Sequence, residues 1–377
     1  MKQWIRKTNL GSFPVSKRQE VWEYQEDKKL LTSFPLEITL GKPIDILKLK
    51  RASLEEIREY AKFLQSTANK LYTSNQDCFS VQNCPCCQAS THDAVQEFCV
   101  FGIFYYRCQT CGHVFVRDRP PTATLNEVFA ESEEYSTPYI DRASLEIRLE
   151  QVIQPKVDWL LETYENYWHR SATSVLDVGA GGGHFVEGSR RKGLQAKGYE
   201  LSKTSRRFAW ETFGIELCGD DFLEEKTTTT ESDLTNIITF WGLLEYTPEP
   251  RKFLNTARER LSVDGGLLVV EVPRYECWGS AIQKERPSTI ARHLDPTSHV
   301  NCFSDASLAT ALFECGFQPI AAWYFGMDAY ELLVQMSLDR DDANLLDTWA
   351  DSIPALQSCL DRNLLCDDII VAAIPIS

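Results

Sequence analysis

Two sets of residues in this 377-residue chain have types and spacing that could do chemistry. The first is Cys84-Pro-Cys-Cys87, followed by Cys108-Gln-Thr-Cys111-Gly112. Each Cys-x-x-Cys pair brings two thiolates to one tight turn. Four thiolates complete a tetrahedral zinc shell with no open position, so the metal would be structural rather than catalytic. Pro85 and Gly112 suit the two turns. Cys86 could stand in for a neighbour, but Cys84 and Cys87 have the better spacing. The second set is Val175-Leu-Asp-Val-Gly-Ala-Gly-Gly-Gly-His-Phe185. Its apolar start reads as a buried strand, and its glycines turn the chain sharply into a helix. Without a Cβ, such a turn lets backbone approach a ligand closely. Asp177 stands near the strand end. The pattern is not the dinucleotide fingerprint, which would need a glycine where His184 stands.

Further acidic and aromatic residues recur at intervals downstream. Glu200 ends the next strand, in Gly-Tyr-Glu-Leu-Ser, with Leu201 beside it. Asp220, Asp221 and Phe222 follow the third. Trp241 opens the run Trp-Gly-Leu-Leu-Glu-Tyr after the fourth, which contains Glu245 and Tyr246. His293 and His299 lie in a loop after the fifth.

To position these groups, strands and helices must alternate. Candidate strands cover 174–179, 195–200, 214–218, 235–240, 266–272 and 317–324, and helices begin near Gly183, Ser202, Pro250 and Asp305. That alternation is the signature of a parallel α/β sheet. Gly193 and Gly316 occupy helix C-cap positions. We divide the chain into an N-terminal helical extension (1–77), a zinc ribbon (78–120) with aromatic strands, connecting helices (121–170), the Rossmann-like domain (171–327), a helical insertion (328–365) and a final strand of the same sheet (366–377). Within the first of these, Ser53-Leu-Glu-Glu56 is a capping box that predicts a helix from about Leu54.

The glycine motif resembles motif I of class I S-adenosylmethionine (SAM) dependent methyltransferases. That resemblance implies a seven-stranded sheet with one antiparallel strand. It also implies a SAM site built from Asp177, Gly179, Ala180, Gly181, Gly183, Glu200, Leu201, Asp220, Asp221, Phe222 and Trp241. There Asp177 organises the ammonium, Glu200 accepts the ribose hydroxyls, Asp220 and Asp221 accept from the adenine amino group, and Phe222 covers the ring. With four zinc-type cysteines ahead of it, the chain is similar to zinc-containing C-methyltransferases of nucleotide-linked deoxysugars and to polysaccharide-cluster methyltransferases. That points to a small-molecule, sugar-like acceptor. It departs from many of them by having Glu245-Tyr246 where they have Glu-His. The expected base is then His299, which matches the family's histidine before a Phe-Ser helix start, with His293, Glu245 and Tyr246 as the other candidates.

The composition narrows the alternatives. Net charge is −15, which argues against a large nucleic-acid footprint. Residues 84–111 contain a single basic residue, Arg107, so an RNA methyltransferase docking through its ribbon is disfavoured. The intact glycines and Glu200 disfavour a non-catalytic SAM-fold binding protein. No apolar run reaches the ~18 residues of a membrane span, and no signal peptide is visible at the N-terminus. We therefore expect a cytoplasmic protein with no membrane partner; the oligomeric state has no visible signature.

Overall fold

The computed structural model of the chain describes residues 2–9, 17–42, 44–50, 53–73, 77–131, 140–224, 234–262, 264–286 and 293–376. Fifteen strands are present in them: β1 Lys2–Asn9, β2 Lys17–Glu26, β3 Lys29–Leu40, β4 Phe79–Ser80, β5 Val95–Val100, β6 Ile103–Arg107, β7 Val114–Val116, β8 Asp118–Arg119, β9 Ser174–Val178, β10 Gln195–Tyr199, β11 Ile237–Trp241, β12 Leu267–Pro273, β13 Asn301–Cys302, β14 Phe317–Phe325 and β15 Asp368–Pro375.

The main sheet has nine strands in the order β1-β2-β3-β14-β15-β12-β11-β9-β10. β10, β9, β11 and β12 run parallel, and β15 enters antiparallel between β12 and β14. β12 and β15 are buried almost end to end, as expected of strands covered on both faces. One face (Ile238, Phe240, Val270, Val371) packs on the helices Pro250–Arg260 and Asp305–Glu314. The other (Ile237, Val269, Ile370) packs on Gln154–Trp168 and His184–Arg191. The fold is thus the expected α/β architecture around a mixed central sheet, but the sheet has nine strands rather than the seven expected, because β1–β3 extend it beyond β14.

Two expectations are corrected. The strand expected at 214–218 shrinks to a single bridge, Tyr199 with Cys218, held by bonds of 2.9 Å from Cys218 N to Gly198 O and from Glu200 N to Cys218 O. The segment 1–77 is not wholly helical. Its first part forms β1–β3, an antiparallel meander that joins the sheet through the parallel pair β3–β14. Trp22, Tyr24, Phe34, Leu36 and Ile38 bury there. The capped helix does form, as Leu54–Ala68, with the Glu56 amide donating to the Ser53 hydroxyl and the Ser53 amide donating back to the Glu56 carboxylate. It lies near the helical insertion, whose Ala329, Leu333, Ile353 and Leu360 share a cluster with Ile46.

The cysteine module builds a second sheet, β13-β7-β6-β5. Phe101 and Gly102, both at positive φ, make the two-residue turn between β5 and β6, the geometry that matches hairpin twist. The cysteines and Phe115 belong to the same core cluster as the main sheet, so the ribbon is fused to the sheet rather than tethered to it.

Candidate active site

The glycine turn follows β9. Gly179, Gly181 and Gly183 all have positive φ, a conformation that costs other residues. The amides of Gly179 and Ala180 both donate to Tyr199 O at the end of β10, 2.9 Å away, which ties the turn to the neighbouring strand. Gly198 beneath it is equally constrained: a Cβ there would lie 2.8 Å from Leu217 and 2.9 Å from Ala180.

The Glu200 carboxylate accepts from Gly181 N on one oxygen and from Ser202 N on the other, each at 2.7 Å. Burial pushes its pKa up, and those amides pull against the shift. A carboxylate oxygen carries two lone pairs, so each still has capacity for a ligand hydroxyl. Asp177 is 1% exposed and accepts from the Thr239 hydroxyl at 2.8 Å. Burial pushes it up to about 7, while Thr239 and Lys156 favour its anion. Lys156, from the helix Gln154–Trp168, pairs with Glu271 of β12 and stands over the Trp241 ring at 4.6 Å.

Of the other expected ligand contacts, Asp220 is exposed and Asp221 half-buried, with Asp221 accepting from Leu223 N at 2.9 Å. The Ala180 backbone lies in the turn, and the Leu201 side chain faces outward. Phe222 is not positioned to cover a ring. It is 3% exposed and packs in the core against Phe240, Phe253 and Tyr199, beneath the Arg260 guanidinium. Trp241 ends β11 with its ring against Phe185 and its indole N–H buried without a hydrogen-bond partner.

The loop after β11 sits on the glycine turn. Gly242 turns it at φ 64°, and a Cβ on Gly179 would lie 3.2 Å from Leu243 Cδ1. Glu245 is buried, and one carboxylate oxygen has no hydrogen-bond partner. Burial, and Glu271 nearby, push its pKa up to about 8. Asn301 holds this loop from behind: its amide donates to Leu244 O at 3.1 Å and to Thr247 O at 2.7 Å. Both amide hydrogens are then used, so Asn301 Oδ1 must accept from His113 Nε2, 3.0 Å away. That fixes the His113 tautomer, and burial pulls His113 down to about 4, so it stays neutral. Arg119 adds a bond to Pro248 O at 2.8 Å.

The histidine loop is held by the same module. β13 pairs with β7, and the Tyr105 hydroxyl donates to His299 O at 2.9 Å. His299 packs edge-on to Tyr246, ring centroids 4.8 Å apart, and lies near the His293 ring. Its Nδ1 faces His293 O at 3.0 Å. A carbonyl only accepts, so Nδ1 carries a proton, and in the neutral ring the lone pair lies on Nε2. The structure therefore brings His299, Tyr246 and His293 together, with Glu245 on the same loop as Tyr246.

Cys84, Cys87, Cys108 and Cys111 converge, their sulfurs all within 4.8 Å of one another. Cys84 to Cys111 is 3.6 Å and Cys87 to Cys108 is 3.7 Å. Tetrahedral zinc with bonds of about 2.3 Å sets sulfurs about 3.8 Å apart, so the set fits zinc. Cys86 is not among the four sulfurs that converge, and its carbonyl accepts from Arg251 at 2.7 Å. His113 belongs to the Asn301 strut and not to this group. Lys156, Thr239, Gly198, Leu243, His113 and Asn301 were not legible as site residues. Only the strand-end position of Thr239, beside Asp177 in the register, carried a usable signal.

Comparison with known proteins bears on the same region. Residues 146–322 match the family described as a methyltransferase domain. A 130-residue stretch is 24% identical to the ubiquinone biosynthesis O-methyltransferase of Aeromonas salmonicida (strain A449), over 33% of this chain and 53% of that protein. The chain thus spans about half the length of that relative. Among solved structures, a SAM dependent methyltransferase from Archaeoglobus fulgidus is 16% identical with a TM-score of 0.40, over 62% of this chain and 99% of that one. The magnesium protoporphyrin IX methyltransferase from Synechocystis PCC 6803, solved with bound SAH, is 11% identical with a TM-score of 0.44, over 68% and 100%. Among the described residues, no helix is long and apolar enough to cross a membrane.

Proposed function

We propose that this protein is a SAM-dependent methyltransferase acting on a small-molecule acceptor, a nucleotide-linked sugar or related glycan. The observation that carries the reading is the Glu200 carboxylate, braced by the Gly181 and Ser202 amides at the carboxyl ends of the parallel pair β9–β10. Ligands of open α/β sheets bind at that edge. Gly179 to Gly183 offer bare backbone to the amino-acid end of SAM, Asp177 faces its ammonium, and Glu200 accepts from its ribose. When bound, SAM supplies a methyl group activated by the sulfonium.

The remaining work falls to the chain. The Trp241–Tyr246 loop orients the acceptor and excludes water, and positioning alone lowers the barrier substantially. His299 Nε2, with its lone pair set by the Nδ1–H bond to His293 O, takes the proton from an acceptor hydroxyl or acidic C–H. Tyr246, edge-on to that ring, holds its orientation. Zinc at the four cysteines holds the ribbon that braces both loops. The saccharide part of the reading rests on the cysteine module preceding the methyltransferase domain.

The test is transfer of labelled methyl from SAM to a panel of nucleotide sugars and glycans, with RNA as a second panel. Incorporation into a sugar nucleotide, abolished in His299→Ala, supports the reading. Incorporation into RNA alone would replace the acceptor assignment.

A further inference from the structure

Beyond the proposed SAM and zinc sites, three groups of metal-ligand type converge from distant parts of the chain. His293 comes from the loop before β13, Glu331 from the first turn of the helix Asp328–Arg340, and Asp367 immediately precedes β15. One ligand atom from each lies within 4.8 Å of the others. Asp367 is fully buried and oriented by the Met327 amide, which donates to its Oδ1 at 2.8 Å. Its other oxygen lies 3.0 Å from His293 Nε2. Donors in cis positions about a cation with bonds near 2.1 Å stand about 3 Å apart.

The space beside them matches a cation rather than an organic ligand. The cavity lined by His293, Glu331, Gln283, Gln335 and Gly279 has a volume of about 20 Å³, room for one water-sized occupant. Gly279 on its wall donates its amide to Asp328 Oδ1 at 2.8 Å, and a Cβ there would lie 3.0 Å from that oxygen.

We propose that His293, Glu331 and Asp367 form a divalent-cation site. Two carboxylates and one imidazole suit an oxygen-preferring first-row ion such as Mn²⁺, whereas soft thiolate sets select zinc. The site is distinct from the four-cysteine cluster, and the two sets would not compete for one ion. It adjoins the proposed base. His293 O accepts from His299 Nδ1, and both histidines line a second small cavity with Tyr275 and Asn301. A cation held on the His293 ring would therefore anchor the loop that presents His299.

The binding test does not depend on methyl transfer. The full chain, with its native zinc, is titrated with Mn²⁺ and followed by the six-line spectrum of the free aqueous ion. One tight equivalent should vanish from the free-ion signal in the wild type. Glu331→Gln, at the cavity rim, should weaken binding at least tenfold while melting at the wild-type temperature; His293→Gln takes its place if that variant fails to fold. Full retention of the free-ion signal up to millimolar Mn²⁺ overturns the proposal, as does equal affinity in wild type and variant. Either result leaves His293 and Asp367 as an ion pair only. SAH binding measured on the same samples reads the methyltransferase assignment separately.

Discussion

Replacing Asn301 with alanine removes a group that is 1% exposed and makes three hydrogen bonds. It donates to Leu244 O and Thr247 O, at 3.1 and 2.7 Å, and accepts from His113 Nε2 at 3.0 Å. Each bond is worth about 1 kcal/mol net, and each buried group left unsatisfied costs about 1–3 kcal/mol. Some carbonyls will regain water as the loop relaxes, so we expect a loss of about 3–5 kcal/mol. The loss falls on the loop that seats Leu243 against Gly179. Where a binding-competent state is depleted, apparent affinity falls in proportion, and each 1.4 kcal/mol is about tenfold. Asn301→Ala should therefore weaken SAH at least tenfold in calorimetry and lower the melting temperature by several degrees. Asn301→Asp should do no better, since a carboxylate cannot donate to two carbonyls. If Asn301→Ala melts within one degree of wild type and binds SAH within twofold, the strut does not hold the loop and the reasoning is wrong.

Other outcomes follow from the same geometry. Gly198→Ala should destabilise by about 1–3 kcal/mol through overpacking, because the new Cβ meets Leu217 and Ala180 below 3 Å; chemical denaturation reads this directly. Glu245→Gln should flatten the pH dependence of stability of the ligand-free chain. Burial holds Glu245 up to about 8, against about 4.3 when unfolded. The folded chain thus keeps a proton that the unfolded chain releases, and stability falls as pH rises from about 4.5 through 8, by on the order of 4 kcal/mol in all. Denaturation midpoints at pH 5 and 8 check it, and equal slopes in wild type and variant would count against the burial of Glu245. Purified protein should carry one zinc per chain, released only when thiols are blocked; its removal should abolish SAH binding, since the ribbon lies in the main core. Retained binding after complete zinc loss would separate the ribbon from the site.

The parts of the fold legible in the sequence are those whose signal is local. The apolar run 175–178 with its glycines, the Cys-x-x-Cys pairs, the Ser53 capping box and the last strand each declare themselves within a dozen residues, and each forms at its expected place. β1–β3 were not legible. β2 is rich in charge, and Pro35 lies inside β3, where proline ordinarily argues against a strand; the β2–β3 pairing, with Val21 opposite Pro35, and the anchoring of β3 on β14 override both. Asn301 and His113 stand alone in the sequence, and their meaning arises only across the fold. Phe222 shows the opposite failure. It follows a strand end, as a ligand-facing residue should, but Arg260 grips its carbonyl at 2.9 Å and its ring turns into the core.

The central claim is that the glycine turn and Glu200 form a SAM site. Calorimetric titration of the full chain with SAH tests it most directly, with Glu200→Ala alongside. We expect one saturable site per chain in the wild type and affinity reduced at least tenfold in the variant. The account is contradicted if the wild type gives no heat and no thermal shift with SAH or SAM, or if Glu200→Ala binds as tightly as the wild type.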